Sequence, residues 1–120
     1  ALNHQMVVHH VRDELPDYFR VNKAFHRKIV EASRNPVLLW VWDLIALRVD
    51  RARYVSNLWP QRWPQAVKEH QEMLEALVRR DGAKLADLMR AHVRNGLSVV
   101  ADGRAEAARS APSAEFPKDV

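Results

Sequence analysis

The sequence predicts an all-α protein, an antiparallel bundle of about five helices, and three observations carry that expectation. Only three glycines occur in 120 residues. No stretch alternates apolar and polar residues over the length of a strand. Apolar residues instead recur at intervals of three and four between clear breaks at Asp13, Asn35-Pro36, Trp59 to Pro64 and Asp81-Gly82. With 48% hydrophobic and 28% charged residues, the chain has the balance of a folded domain, and its length suits one core rather than two.

The first helix is short, from Ala1 to Arg12, and its apolar residues (Leu2, Met6, Val7, Val8, Val11) make a ragged face. Asp13 offers an N-cap for the second, and Pro16 falls in its first turn, where a missing N–H costs least. That helix runs to about Ser33 with Leu15, Tyr18, Phe19, Phe25, Ile29 and Val30 on one side, and Asn22 and His26 fall within the same stripe. Pro36 starts the third helix, since proline suits the first helical position and pushes Asn35 out of the α region. It extends to about Asn57, apolar on nearly all sides at its start, which points to the middle of a bundle or a subunit interface. Trp40 and Trp42 are read there as core or dimer contacts. After the Pro-bracketed loop, a fourth helix from about Pro64 to Arg80 carries Val67, His70, Leu74, Leu77 and Val78 on one face. The fifth, Ala83 to about Ala101, carries Leu85, Leu88, Met89, His92, Gly96 and Val99. Residues 102–120 are Ala, Ser, Pro and charge around Phe116, and are expected to form a flexible C-terminal tail.

Composition excludes much chemistry. There is no cysteine, so disulfides, thiolate metal sites and cysteine nucleophiles are absent, and any metal would take imidazole, amide or carboxylate ligands. The net charge of +4 is spread among alternating acidic and basic residues, which is weak support for nucleic-acid binding. The longest apolar run, Val37 to Trp42, is far too short to span a membrane, and the chain is read as cytoplasmic with no membrane partner.

Three of the six histidines, His26, His70 and His92, occupy the apolar stripes of three different helices. Any one alone is more often a core residue bonded at one nitrogen. Three converging imidazoles need partners for up to six ring nitrogens, and a shared ion meets much of that need in one step. Asn22 and His26 are four apart and so share a helix face, a spacing that suits two ligands on one ion as well as two residues of a core stripe. His4, His9 and His10 are read as solvated.

The runs Asn22-Lys23-Ala24-Phe25-His26, Ala32-Ser33-Arg34-Asn35-Pro36, Glu69-His70 with Leu74 to Leu77, and Asp81 with Leu88-Met89-Arg90-Ala91-His92 resemble the C-terminal effector-binding domain, the FCD domain, of FadR-type GntR-family transcriptional regulators. The resemblance covers Ala1 to Val99, with the helix that usually opens that domain not included, and assigns 1–101 to the effector-binding domain. It implies a divalent metal in the bundle interior held by Asn22, His26, His70 and His92, and a small carboxylate effector coordinating it. Much of the family has Asp where this chain has Asn22. The neutral amide leaves the ion its full charge, which lowers metal affinity and raises attraction for an anion. The imidazole majority favours Zn²⁺ or Ni²⁺, with Mn²⁺ or Fe²⁺ admissible in an octahedron completed by oxygen. Arg53 and Arg48 on the third helix are the first candidates for a carboxylate clamp and Arg62 is the third. The resemblance further implies a homodimer, and DNA binding through an N-terminal winged helix-turn-helix that this chain, expected to be a fragment, does not contain.

Two other readings compete. A metal-free dimerisation module would use the histidines only as core. A metal-dependent hydrolase needs a general base, and Glu69, next to His70, should point about 100° away around the helix. Catalysis is therefore expected to be absent.

Overall fold

Short connections of three or four residues join the helices, so consecutive helices must double back on one another. The computed structural model describes residues 1–110, with side chains for 1–103. Among these residues there are five helices and no strand: α1 Leu2–Val11, α2 Leu15–Ala32, α3 Pro36–Asn57, α4 Arg62–Val78 and α5 Gly82–Ser110. None of these helices is long and apolar enough to cross a membrane.

Three connections turn on a left-handed residue that is not glycine: Asp13 (φ 57°), Arg34 (φ 54°) and Arg80 (φ 56°). After α1, the Asp13 N–H donates to the His10 carbonyl at 3.1 Å and the Glu14 N–H to that of His9 at 2.9 Å. After α4, Arg80 and Asp81 do the same to Leu77 (3.1 Å) and Ala76 (2.9 Å). Each pair of bonds satisfies carbonyls that a helix end would leave bare. This corrects the expected Asp13 cap. Asp13 is consumed in closing α1, and the N-cap of α2 is Glu14, whose side chain makes no capping bond. At α3 the Asn35 Oδ1 accepts from the N–H groups of Val37 (3.0 Å) and Leu38 (3.1 Å), and at α5 Asp81 accepts from Lys84 at 2.9 Å.

The helix pairs in contact are α1 with α2 and α4, α3 with α2, α4 and α5, and α4 with α5. Among the described residues, no Cα atom of α2 comes within 8 Å of α4 or α5. Large side chains fill the space between: Met6, Tyr18, Val21, Phe25 and Met73 form the buried core cluster, ringed by Leu15, Ile29, Trp63, Leu85 and Met89. The histidines hang into this same interior.

Four elements differ from expectation. Helix α4 starts at Arg62 rather than Pro64, and its buried face runs through Arg62, Ala66, His70, Met73 and Ala76. Val78 is 76% exposed. Small alanines, weak signals in a hydrophobic pattern, let α4 approach its neighbours and rotate the stripe. Helix α5 continues past Ala101 to Ser110; the later part of the expected tail, including Phe116, lies outside the described residues. The start of α3 is not in the middle of the bundle, since Val37, Leu38, Trp40, Val41, Leu44, Ile45 and Leu47 are all exposed, Trp40 by 62%. Nor are all three opening histidines simply solvated: His9 bonds Glu14 at 2.7 Å, and His10 meets the Trp63 ring edge-on at 5.0 Å. Where α5 passes the α3–α4 loop, Gly103 leaves room for Trp59; a Cβ there would lie 2.5 Å from the indole.

Candidate metal centre

His26 comes from the second half of α2, His70 from the middle of α4 and His92 from α5, and all three are buried. One ring nitrogen from each lies within 4.8 Å of the others. The His26 and His70 Nε2 atoms are 3.2 Å apart, and the His92 ring centroid is 5.0 Å from that of His26 and 4.7 Å from that of His70. Burial holds His26 and His70 well below the ordinary histidine pKa, and positive charge on Arg53 and the neighbouring rings lowers them further. His92 is lowered chiefly by burial, against an opposing pull from Glu69. All three are thus neutral near pH 7, the form that ligates metal.

Outer partners set the tautomers. His92 Nδ1 lies 2.6 Å from Glu69 Oε2, so Nδ1–H donates to the carboxylate and the Nε2 lone pair is free. His70 Nδ1 faces the Tyr18 hydroxyl at 3.3 Å, which fixes the ring with its Nε2 turned to the interior, toward His26. Burial pushes the Tyr18 phenol up, so it stays protonated. Glu69 also accepts from Arg62 Nη2 at 2.8 Å and Asn95 Nδ2 at 2.7 Å. Partial burial raises its carboxyl, but these bonds and the Arg62 charge outweigh it and hold the group below the usual carboxylate range. Sequence reasoning missed this role. Glu69 does point away from His70 around α4, but α5 presents His92 on that side. A Glu beside a ligand-type His was the only available signal.

Residues fit a divalent ion on two counts. Two imidazole nitrogens bound to one zinc at tetrahedral geometry stand about 3.3 Å apart, close to the observed 3.2 Å. And Asn22, one turn before His26, is buried with its Oδ1 lacking any hydrogen-bond partner among the described residues. The members of a second group, His9, Glu14 and Asp17, already have partners: Glu14 holds His9, and Asp17 holds Arg20 at 3.1 Å.

Beside the histidines lies a cavity of about 150 Å³, lined by Asn22 and His92, by Val49, Ala52, Arg53, Ser56 and Asn57 of α3, by Arg62, and by Val93, Gly96 and Leu97 of α5. Two of the three arginines named from sequence reach it. Arg53 lies over the Trp42 ring at 5.1 Å and 3.7 Å from Asp50, and burial lowers its pKa to about 10. Arg62, expected in a loop, is instead the first residue of α4 and 2% exposed; its Nη2 also donates to the His92 carbonyl at 3.2 Å. Arg53 Nη1 and Arg62 Nε and Nη1 are buried without hydrogen-bond partners among the described residues. Arg48 is exposed on α3 and does not line the cavity. Of the acids on the same helix, Asp43 bonds Arg27, and Asp50 is held by Lys23 at 3.0 Å.

Neither a curated protein nor a solved structure matches the chain. The family model of the FCD domain matches residues 1–95. With the all-α architecture, that match shows the chain to be a member of the FCD family, the effector-sensing regulatory domain of GntR-family regulators.

Proposed function

We propose that the chain senses a small carboxylate effector through a divalent metal held by Asn22, His26, His70 and His92, with Arg53 and Arg62 receiving the effector's charge. The carrying observation is the set of buried atoms around one cavity that have no hydrogen-bond partner among the described residues: Asn22 Oδ1, Arg53 Nη1, and Arg62 Nε and Nη1. Leaving such groups unpaired costs about 1–3 kcal/mol each, more for charged ones, and a bound anion removes that cost. The ion, Zn²⁺ or Ni²⁺ from the donor set, supplies a Lewis-acidic centre for a carboxylate oxygen. Glu69 holds His92 in the ligating tautomer, Tyr18 positions the His70 ring, and the core cluster keeps water from the far side of the rings. Effector binding would tie α2, α3, α4 and α5 together and bias the orientation of a DNA-binding domain carried elsewhere in a cytoplasmic regulator.

The reading is non-enzymatic: Glu69, whose carboxylate touches His92, is committed to three partners and is not available as a general base. The exposed apolar face of α3 supports a homodimer, measurable by sedimentation. Protein purified without an affinity tag should contain about one divalent ion per chain. Calorimetry against small carboxylates should give binding that disappears in His70→Ala. A fully folded, metal-free preparation whose anion binding ignores that substitution would instead favour the dimerisation module, in which the 3.2 Å contact between His26 and His70 closes the core unaided.

A further inference from the structure

Resting on that reading, we infer that the cavity selects a short dianion, a four- or five-carbon dicarboxylate, over a monocarboxylate of the same length. The charges around the cavity do not cancel. Asn22 and three neutral imidazoles remove nothing from a divalent ion's charge of two. Arg62 is matched by Glu69 at 2.8 Å. Among the described residues the carboxylate beside Arg53 is that of Asp50, which is 3.7 Å away and already held by Lys23 at 3.0 Å. The site thus keeps an excess of two positive charges on the ion, beside an arginine whose Nη1 has no hydrogen-bond partner among the described residues. One carboxylate would leave half of that excess uncompensated in a buried place, where unpaired charge is costly.

Shape narrows the class. The volume of about 150 Å³ matches a dry cavity that admits benzene. Val49, Ala52, Val93 and Leu97 give the wall between the polar groups an apolar surface suited to a short hydrocarbon spacer. The Ser56 hydroxyl donates to the Arg53 carbonyl at 2.9 Å, so toward the cavity it offers an acceptor and no donor. Two carboxylates on a short spacer would let one group meet the ion and the other meet the Arg53 and Arg62 donors.

The test is calorimetry on the Zn²⁺-loaded full chain with succinate, its monocarboxylate counterpart butyrate, and sulfate. Succinate should bind at least about tenfold more tightly than butyrate, the usual scale for a charged hydrogen-bonded group. Sulfate, a dianion without a spacer, should bind more weakly than succinate. Asn22→Asp, which places one negative charge on the ion, should narrow the succinate preference, and Arg53→Gln should narrow it from the other end of the cavity, so that one misfolded variant leaves the other as the measure. Succinate and butyrate within about twofold of each other, both lost in His70→Ala, would overturn the dianion inference and leave the sensor intact. Sulfate equal to succinate would show selection by charge without a spacer and overturn the dicarboxylate assignment. Binding that persists unchanged in His70→Ala would instead remove the metal-based reading beneath it.

Discussion

The two sides of the histidine cluster are finished in opposite ways. Toward α1, Tyr18, Phe25, Met6 and Met73 seal it with wholly or nearly wholly buried side chains. Toward α3 and the C-terminal part of α5, it meets a cavity with apolar walls and unpaired polar atoms. The sealed side has spent its interactions in folding, whereas the open side holds groups that a bound partner can satisfy. Position comes from the first and response from the second.

The largest test of that division is Met73→Ala. Removing a fully buried methionine should cost about 2–5 kcal/mol in urea denaturation; a much smaller loss would mean the sealed side is not close-packed. Next, Arg53→Ala should weaken carboxylate binding by about tenfold or more, with Arg48→Ala unchanged in the same titration. Equal effects would erase the distinction between cavity and surface that separates the two arginines.

Acid probes the cluster itself. His26 and His70 have folded-state pKa values below the ordinary 6.5. Unfolded chains therefore take up protons that folded chains refuse. Stability of the metal-free protein should fall as pH drops through 6.5, by up to about 1.4 kcal/mol per pH unit for each ring, until the folded rings titrate. Denaturant midpoints across pH 7.5 to 5 measure it, and a flat profile would place the rings in contact with water. Smaller still, Asn35→Ala removes the cap on α3 and should cost about 1 kcal/mol. Least of all, Leu97→Ala, on the open side and 55% exposed, should change stability by about 0.5 kcal/mol or less.

Fold class, helix order and the meeting of His26, His70 and His92 were legible because they rest on repeated spacing, which a sequence displays directly. What escaped depended on relations between helices. Glu69 could not be assigned to His92 without the rotation of α4 against α5. Arg62 read as a loop residue because Pro60 and Pro64 surround it, yet Pro64 falls inside the first turn of α4, where proline is tolerated. Arg48 and Arg53 are alike in sequence; five residues along a helix turn one inward and the other out. Asp13 has the composition of a cap, but the left-handed closure of α1 claimed it first.

The stacking of Arg53 on Trp42 has an optical consequence. Indole emission shifts with charge placed near the ring, and the guanidinium that faces the cavity lies 5.1 Å from this one. Trp63, packed edge-on against Tyr18 at 5.3 Å, sits one contact from His70 on the sealed side. Two of the protein's four tryptophans thus lie on opposite sides of the same three rings. Anion arrival should register in the colour of Trp42 before it reaches Trp63, without any label attached.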